Sequence, residues 1–311
     1  MKKDSKIYVA GGQSGLVGTA IVRNLRKRGF TNIITKPRKE LDLMDSKQVA
    51  TFFQKEKPDY VFLAAALVGG ILANKTRKAD FIYQNLEVQN NVIFNAYKQG
   101  VKKLIFLGSS CIYPRLAKQP IEESSLLTGA LEETNDAYAV AKIAGIKMCQ
   151  SFNEQYGTNF ISVMPTNLYG PNDNYDLNSS HVLPALIRKF HDAKVGNKKE
   201  VTLWGTGEVY REFLHVDDMA DACVFLMQKY KSSEIINIGT GQDLKIKELA
   251  QLIKKIVGFK GKIVWDKTKP NGTPKKQLNV SKLFKLGWQP KISLEEGIAS
   301  EYKWFVKNAT K

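Results

Sequence analysis

A glycine-rich turn near the N-terminus constrains the fold of this chain more than any other feature. Gly12, Gly15 and Gly18 follow a short apolar run at residues 6–10 and open a helical pattern that continues to about residue 28. In such a turn the first glycine allows a tight bend, the second lets the backbone approach a pyrophosphate, and the third lets the helix pack closely on the strand. The pattern predicts a strand, turn and helix that bind a dinucleotide.

Strand and helix patterns alternate along the first half of the chain. The strand-like runs lie at residues 32–35, 60–65, 103–108 and 159–164, and the helical patterns at 46–55, 79–99 and 137–156. This alternation predicts an α/β fold, a Rossmann-type doubly wound parallel sheet with helices on both faces.

The pattern changes after residue 165, where a polar loop at residues 171–181 begins a different region. Three helical runs predict a mostly helical tail, at 245–257, 281–286 and 293–307. We expect residues 1–170, with return segments near 214–240, to form a cofactor-binding Rossmann domain. Residues 171–213 and 241–311 are expected to form a smaller C-terminal α/β lobe that binds the substrate.

The bulk properties favour a soluble protein with a sizeable core. The chain has 311 residues, and its longest apolar run, residues 60–73, is too short to span a bilayer. Its first residues contain no apolar leader or cleavage site. We therefore expect a cytoplasmic protein with no membrane partner.

The cysteines argue against disulfides and zinc. Cys111, Cys149 and Cys223 are widely spaced and form no Cys-x-x-Cys pair. Cys149 and Cys223 lie in helical patterns, and we expect both to be buried, packed thiols. No metal site is expected.

The net charge of +17 is large. A solvated, lysine-rich surface accounts for it, and a positive field would also help to capture polyanionic small molecules such as nucleotide diphosphates. The basic runs are short, so a nucleic-acid partner rests on charge alone and none is expected.

The residues after the second predicted strand bear on the choice of cofactor. NAD-binding proteins usually place an acid there for the ribose 2′-hydroxyl, whereas NADP-binding proteins place cations for the 2′-phosphate. The run is Thr35-Lys36-Pro37-Arg38-Lys39, with no acid before Glu40. It favours NADPH, with Arg38 as the main contact because a guanidinium binds phosphate through two donors; the alternative is a set of solvated loop charges. Asp42 and Leu43 are placed to face the adenine.

Tyr138 and Lys142 form a candidate proton-transfer pair. They are four positions apart and so share one helix face. A free tyrosine has a pKa of about 10, and we expect the ammonium of Lys142 to lower it toward neutrality. Ser109, at the end of a predicted parallel strand, is placed to bond a substrate carbonyl. Together with the glycine turn, these residues predict a carbonyl reductase.

A thiol beside this reductase set indicates a second kind of chemistry. Cys111 lies two residues after Ser109, and a thiol acts as a base once its surroundings favour the thiolate. His181, in the polar loop, is placed as a second acid–base group on the other side of a substrate. The alternative for Cys111 is a packed loop residue. We expect His215 to be structural and His191 to lie on a helix surface.

Six motifs carry a family resemblance over essentially the whole chain. They are Leu63-Ala64-Ala65-Ala66-x-Val68-Gly69-Gly70-Ile71, Phe81-Ile82-Tyr83-Gln84-Asn85, Gly108-Ser109-Ser110-Cys111-Ile112-Tyr113-Pro114, Tyr138-Ala139-x-Ala141-Lys142-Ile143-Ala144-Gly145, Met164-Pro165-Thr166-Asn167-Leu168-Tyr169-Gly170-Pro171 and Arg211-Glu212-Phe213-Leu214-His215-Val216-Asp217-Asp218-Met219. With them the chain resembles the extended short-chain dehydrogenase/reductases, and within that family the members that both epimerise and reduce a GDP-4-keto-6-deoxy sugar. The Ser-x-Cys pattern in this context is far more specific than the reductase pair alone.

The resemblance implies one site that carries out two kinds of step on GDP-4-keto-6-deoxy-D-mannose. Cys111 and His181 would epimerise C3 and C5, Ser109 and Tyr138 would stabilise the enolate, and NADPH would then reduce the C4 ketone to give GDP-L-fucose. The alternatives are an enzyme that acts on another GDP-4-keto-deoxy sugar and a catalytically silent NADP-binding protein. The resemblance also implies a homodimer, formed through the helices at 79–99 and 137–156.

The resemblance further implies the binding residues. The catalytic set is Ser109, Cys111, Tyr138, Lys142 and His181. The cofactor contacts are Gly12, Gln13, Ser14, Gly15, Leu16, Val17, Gly18, Arg38, Asp42, Leu43, Leu107, Gly108, Ser109, Ser110, Lys142, Pro165, Thr166, Asn167, Leu168 and His181. The nucleotide-sugar contacts are Lys189, Trp204 and Arg211. The glycine turn departs from close relatives, since it has one more residue after Ala10 and no Arg inside it, which leaves Lys36 and Arg38 to hold the 2′-phosphate.

Overall fold

The computed structural model describes residues 1–269 and 271–308. Residue 270 and residues 309–311, which belong to the predicted C-terminal lobe, lie outside the described residues. The strands are β1 (Ile7–Ala10), β2 (Ile33–Ile34), β3 (Tyr60–Leu63), β4 (Lys103–Leu107), β5 (Phe160–Pro165), β6 (Asn167–Tyr169), β7 (Glu200–Trp204), β8 (Tyr210–His215), β9 (Ile236–Ile238), β10 (Asp243–Lys245), β11 (Lys262–Asp266) and β12 (Lys275–Lys276). The helices are α1 (Leu16–Lys27), α2 (Ser46–Glu56), α3 (Ile71–Thr76), α4 (Lys78–Lys98), α5 (Asp136–Tyr156), α6 (Val182–Val195), α7 (Val216–Lys229), α8 (Ile246–Val257), α9 (Ser281–Lys285) and α10 (Leu294–Asn308).

Six parallel strands form the central sheet, in the order β2-β1-β3-β4-β5-β9. The chain leaves β1 toward β2 on one side and returns to β3 on the other. Open α/β sheets bind ligands at such a reversal, beyond the carboxyl ends of the strands. The predicted α/β fold, with its Rossmann-type doubly wound sheet, is confirmed.

Both faces of this sheet are covered by helices. In β1, Ile7 and Val9 pack in an apolar cluster with α1 and α7, whereas Tyr8 and Ala10 pack in a second cluster with α2, α4 and α5. Successive side chains of a strand point to opposite faces, so a strand covered on both sides is apolar throughout. This is why the apolar run before the glycine turn predicted a buried strand.

The remaining strands form smaller sheets, one of them built around β8. β8 pairs antiparallel with β10 and parallel with β6 and β12, and β11 pairs parallel with β7. A third apolar cluster lies between α6, α8 and α10. The division of the chain into two domains at the expected boundaries stays a prediction.

The tail is less helical than expected. β10, β11 and β12 lie almost entirely outside the three predicted helical runs, in segments where no strand was predicted. They are two to five residues long and hold no buried position. Helix α3 was also not expected, since the apolar run at residues 60–73 predicted a strand followed by a loop. Short elements of this kind leave almost no periodicity to detect.

The three cysteines are all free. Cys149 and Cys223 are buried, as predicted, and Cys111 is half-buried. Within residues 1–269 and 271–308, no helix combines the length and the apolar character needed to cross a bilayer.

Candidate active site

The turn between β1 and α1 has the shape of a phosphate cradle. Gly11 and Gly15 have φ angles of +84° and +82°, which residues with a side chain rarely adopt. A Cβ added at Gly18 would lie 2.0 Å from the carbonyl oxygen of Gly11, so the helix approaches the turn only because Gly18 has none. Nothing lies within 4 Å of a Cβ built at Gly15, which leaves the N-terminus of α1 open to an anion. The bend expected at Gly12 is shared with Gly11.

A cavity of about 390 Å³ adjoins this turn. Its lining residues are Gly12, Gln13, Thr19, Val22, Arg23, Arg26, Thr35 and Asn172. Ser14, Leu16 and Val17 complete the turn and the first turn of α1. The predicted dinucleotide segment therefore lies between the cavity and the carboxyl end of β1.

The predicted contacts for a 2′-phosphate follow β2, and each has an acidic partner. The Arg38 Nη2 lies 3.5 Å from Asp42 Oδ2, and the Arg38 side chain is 72% exposed. The Lys36 Nζ lies 3.0 Å from Glu40 Oε2. Leu43 follows Asp42 on the same loop. A phosphate at Arg38 or Lys36 would have to compete with these carboxylates.

The loop after β4 brings Ser109 and Cys111 together. Ser109 precedes a 3-10 turn, Ser110–Ile112, and its Oγ accepts a hydrogen bond from the Cys111 amide at 3.2 Å. A Cβ at Gly108 would lie 2.6 Å from the sulfur of Met164. A side chain at this position would therefore displace the end of the Met164 side chain on β5.

Helix α5 brings Tyr138 and Lys142 to the same end of the sheet. The Lys142 Nζ donates to the Leu107 carbonyl at 2.8 Å and lies 5.8 Å from the centre of the Tyr138 ring. Tyr138 shares a hydrogen bond with Ser109, and Phe81 packs edge-on against its ring at 6.1 Å. The structure thus brings the three predicted reductase side chains together.

The protonation of this pair differs from the expectation. Burial raises the pKa of Tyr138, the neighbouring Cys111 raises it further, and the hydrogen bond with Ser109 opposes the rise. Burial lowers the pKa of Lys142 to about 7. The expected lowering of the Tyr138 pKa by Lys142 is therefore wrong for this arrangement, because burial of the phenol and then the charge of Cys111 disfavour the phenolate. Tyr138 is a protonated acid at neutral pH.

The thiol of Cys111 has two hydrogen-bond donors that no sequence pattern indicated. The Lys276 Nζ lies 3.4 Å and the Asn135 Nδ2 lies 3.3 Å from Cys111 Sγ. Burial alone would raise the pKa of Cys111, but Lys276, the hydrogen bond with Ser109 and the charge of Arg211 together bring the pKa below its ordinary value. The surroundings therefore favour the thiolate, which is the reactive form.

His181 lies at the end of the polar loop, immediately before α6, and is exposed at the mouth of the site. The loop docks on Gly70, whose amide donates to the Ser179 carbonyl at 2.9 Å. Desolvation by the surrounding protein, and then the charge of Lys276, lower the pKa of His181. Lys276 therefore acts electrostatically on both His181 and Cys111.

Two of the three predicted substrate contacts, Lys189 and Trp204, lie together. Lys189, on α6, lies 5.8 Å from the centre of the Trp204 ring, and Trp204 is 45% exposed at the end of β7. Arg211, on β8, donates to the carbonyl of Asn271 at 3.4 Å. Lys269, which was not expected here, lies 5.7 Å from the same indole.

Residues 165–168 cross from the central sheet toward β8. Pro165 ends β5, and the side chains of Thr166 and Asn167 both donate to the Glu212 carbonyl, at 3.2 and 2.7 Å. Leu168 follows in β6. Since β5 is the neighbour of β4, this segment lies beside the loop of Leu107, Gly108, Ser109 and Ser110.

Glu212 organises the junction behind the site, and no sequence pattern indicated its partners. It is wholly buried, and its carboxylate accepts hydrogen bonds from the amides of Thr240, Gly241 and Leu278 at 2.6, 2.9 and 2.8 Å. These bonds tie β8 to the turn after β9 and to the segment that carries Lys276. The only sequence signal for Lys276 was a short basic run, which also fits a solvated surface.

The other histidines lie outside this group. His215 accepts a hydrogen bond from the Asp217 amide at 3.2 Å and is structural, as expected. His191 was expected on a helix surface. It is instead partly buried against Phe305 and Tyr302. Among residues 1–269 and 271–308, no cluster of three or more His, Cys, Asp or Glu could hold a metal ion.

Known proteins are similar to this chain in sequence and in fold. GDP-L-fucose synthase 1 of Arabidopsis thaliana is 60% identical over 306 residues, which cover 98% of this chain and 94% of that protein. A GDP-6-OMe-4-keto-L-xylo-heptose reductase from C. jejuni superposes with a TM-score of 0.94 and 44% identity, over 99% of both chains. A GDP-L-fucose synthetase from Naegleria fowleri, bound to NADP, gives a TM-score of 0.92 and 31% identity, over 100% of this chain and 97% of that one. The family model described as the NAD dependent epimerase/dehydratase family matches residues 7–239, and the chain belongs to that family.

Proposed function

We propose that this chain is an NADPH-dependent enzyme that converts GDP-4-keto-6-deoxy-D-mannose to GDP-L-fucose, by epimerisation at C3 and C5 and then reduction of the C4 ketone. One observation carries the proposal: the Cys111 thiol, 3.4 Å from the Lys276 ammonium, stands beside the Ser109, Tyr138 and Lys142 group. Reduction of a ketone needs no thiol base, whereas epimerisation of its neighbouring carbons needs an acid–base pair. The 60% identity to a GDP-L-fucose synthase supports this choice of substrate.

The glycine turn fits a dinucleotide. The space at Gly15, which a Cβ would begin to fill, adjoins the N-terminus of α1, where backbone amides favour a pyrophosphate. Residues 12–18 would hold the pyrophosphate, and Lys142 with residues 165–168 would hold the nicotinamide end. NADPH, when bound, supplies the hydride that reduces the C4 carbonyl. The NADP bound to the Naegleria fowleri relative supports this cofactor.

In the epimerisation, the ketone at C4 acidifies the hydrogens on C3 and C5. The thiolate of Cys111 takes the proton, and the electron pair of the C–H bond moves toward the ketone oxygen as an enolate. The hydroxyl groups of Ser109 and Tyr138 donate hydrogen bonds to that oxygen. His181 then returns a proton to the opposite face of the carbon. Exchange of the thiol and imidazole protons with water resets the pair between rounds.

The shifted pKa values suit these roles. The lowered pKa of Cys111 shifts its equilibrium toward the thiolate, and the lowered pKa of His181 makes its imidazolium, once formed, a stronger proton donor. The raised pKa of Tyr138 keeps its hydroxyl protonated until the reduction, when it gives its proton to O4. Lys142, with a pKa of about 7, exchanges protons readily at neutral pH and would restore the tyrosine.

The group around Trp204 is suited to the GDP portion. Lys189 and Lys269 lie within 5.8 Å of the centre of the indole ring. Arg211 adds a guanidinium, which binds a diphosphate through paired hydrogen bonds. These three cations supply positive charge for a nucleotide diphosphate.

The direct test supplies GDP-4-keto-6-deoxy-D-mannose and NADPH, and follows NADPH absorbance and the identity of the product. We expect NADPH oxidation and GDP-L-fucose. If no NADPH is oxidised with this sugar, the proposal is wrong.

A second candidate substrate is a GDP-4-keto-heptose, favoured by the 44% identity and TM-score of 0.94 with the heptose reductase. The two sugars are compared at equal concentration. A larger kcat/KM for the heptose would replace the first substrate with the second.

We also propose that the chain forms a homodimer through α4 and α5. Tyr83 and Phe94 on α4 are 57% and 44% exposed, and Val140 on the neighbouring α5 is 45% exposed. Tyr83 and Phe94 are separated by three helical turns and so share one face. An exposed apolar patch on two packed helices is typical of a subunit interface.

The remaining proposals concern domains and location. Residues 1–170 and 214–240 would form the cofactor domain, and residues 171–213 and 241–311 the substrate lobe. Free thiols at all three cysteines favour a reducing compartment such as the cytoplasm.

A further inference from the structure

The cavity beside the glycine turn contains two arginines that the catalytic scheme does not use. This α1 cavity, lined by Gly12, Gln13, Thr19, Val22, Arg23, Arg26, Thr35 and Asn172, has a volume of about 390 Å³. Apart from Val22, the side chains that line it are polar or cationic, and none of those described is acidic. Its chemistry therefore suits an anion.

The two arginines differ in how firmly they are held. The Arg23 guanidinium contacts Thr19 Oγ1 at 3.3 Å and Asp217 Oδ1 at 2.6 Å. The exposed side chain of Arg26 makes no ion pair or hydrogen bond with the residues that the structure describes. Arg26 therefore has both edges of its guanidinium free for a ligand. The expected phosphate contacts, Lys36 and Arg38, each face a carboxylate.

The position of the cavity indicates which anion it takes. Its lining includes Gly12 and Gln13, on the turn that would hold the pyrophosphate, and Thr35, the residue directly after β2. Gln13 Oε1 accepts a hydrogen bond from Thr35 Oγ1 at 2.6 Å, which ties the turn to the end of β2. In this fold the adenosine ribose reaches the end of the second strand, where its 2′ position is read.

We propose that the α1 cavity takes the 2′-phosphate of NADPH and that Arg26, with Arg23 behind it, selects NADPH over NADH. This inference rests on the proposed NADPH-dependent function and names the side chains that set its cofactor preference. A guanidinium with no competing carboxylate can form two parallel hydrogen bonds to a phosphate. Arg38 remains a predicted contact, and Arg26 is added to it.

The test measures binding of 2′,5′-ADP and of 5′-ADP by calorimetry, because these probes differ only in the 2′-phosphate and require no turnover. For Arg26→Ala we expect 2′,5′-ADP to bind about tenfold more weakly or worse, with 5′-ADP changed by less than about twofold. Lys27→Ala is the matched control, since Lys27 is the next residue of α1, is equally basic and exposed, and does not line the cavity. It should bind both probes like the wild type.

Two results would overturn the inference: wild-type affinity of Arg26→Ala for 2′,5′-ADP, or an equal loss of affinity for both probes. Circular dichroism checks that the variant folds, and Arg26→Lys, which keeps the charge but not the paired donors, should restore only part of the affinity. The inference and the proposed function fail separately. If the protein binds 2′,5′-ADP through Arg26 but oxidises no NADPH with the keto sugar, the proposed function is wrong and the phosphate site is still supported.

Discussion

The surroundings of Cys111 come from distant parts of the chain. Asn135 and Lys276, which donate to its sulfur, lie 24 and 165 positions away in the sequence. Ser109 is local, and its role could be predicted from the spacing of two residues and the end of a strand. Lys276 could not, because its position depends on the pairing of β12 with β8, where it is the register partner of Arg211.

The first prediction concerns the thiol as a base. In heavy water the wild type should place deuterium at C3 and C5 of the product, and Cys111→Ser should abolish this incorporation, because a serine hydroxyl is a far weaker acid and is not deprotonated at neutral pH. Mass spectrometry and NMR of the product measure it. Cys149→Ala, which alters a buried thiol away from the site, is the control and should incorporate deuterium. Incorporation by Cys111→Ser at the wild-type rate would show that another group is the base.

The second prediction concerns the acidity of that thiol. Lys276→Met should raise the pKa of Cys111, because the ammonium at 3.4 Å that favours the thiolate is lost. The rate of alkylation by iodoacetamide as a function of pH measures the pKa, since Cys149 and Cys223 are buried and their pKa values are raised by burial. Lys275→Met is the matched control, because Lys275 pairs with Asp243 instead. The same alkylation profile for both variants would contradict the assignment.

At the scale of elements, the glycine turn and α1 show how local pattern becomes a site. The order of strand, turn and helix was predictable, because each glycine is required by close contacts or backbone angles within one short segment. The cavity beside the turn was not predictable. It needs Thr35 from the end of β2 and Asn172 from the loop after β6 to meet the exposed face of α1.

The third prediction tests the close packing of α1. Gly18→Ala should destabilise the fold by about 1–3 kcal/mol and weaken NADPH binding, because the added Cβ would lie 2.0 Å from the Gly11 carbonyl oxygen. Urea denaturation and cofactor titration measure the two effects. Gly100→Ala is the control, since it adds a Cβ at a φ of +64° with nothing within 4 Å; it should lose some stability from backbone strain and keep cofactor affinity. Unchanged NADPH binding by Gly18→Ala would remove the turn from the cofactor site.

The loop after β6 is joined to α10 by buried carboxyl groups. Tyr175 donates a hydrogen bond to Glu301, and one oxygen each of Asp173 and Glu301 has no hydrogen-bond partner among the described residues. Burial raises the pKa of Asp173 to about 7. Burial, and then the charge of Asp173, raise the pKa of Glu301 to about 8, and Arg23 opposes this rise.

The fourth prediction is a fall in stability with rising pH. The pKa values of Asp173 and Glu301 in the folded protein exceed their unfolded values of about 4. The stability that these two groups contribute is therefore fully present below about pH 4 and is lost as the pH rises through 7 and 8. In the wild type the free energy of unfolding should fall between pH 6 and pH 9, and Glu301→Gln should make this fall smaller by about 2 kcal/mol. Urea midpoints at the two pH values measure it, with the exposed Glu295→Gln on the same helix as the control. An equal pH dependence in the wild type and Glu301→Gln would contradict the assignment.

At the scale of the whole molecule, the fifth prediction tests the proposed dimer. Tyr83→Asp should convert the dimer to a monomer, because it would bury a charge in the proposed apolar interface. Sedimentation equilibrium measures the mass. Leu116→Asp is the control, since Leu116 is 84% exposed and belongs to neither α4 nor α5. A monomeric wild type, or a Tyr83→Asp variant that dimerises as well as the control, would refute this interface.

The sequence by itself determined the features that depend on neighbours along the chain. The alternation of strand and helix runs predicted the parallel sheet, and the glycine spacing predicted the cradle. The four-residue step from Tyr138 to Lys142 placed both on one face of α5. These features repeat with the short periods of strands and helices, so a single sequence displays them. The sequence did not predict the protonation states of Tyr138 and Lys142, because burial reverses the pKa shift that a lysine charge alone would cause.

Only the tertiary structure decided which distant groups meet. It placed Lys276 against Cys111, tied β8 to the turn after β9 through Glu212, and left Arg26 free beside the end of β2. The strands involved are too short to show a period, and their partners are chosen by the packing of the apolar clusters on either side. The apolar clusters fix the position of the backbone, and the backbone fixes which charged side chains meet. A local pattern of residues therefore does not predict these contacts.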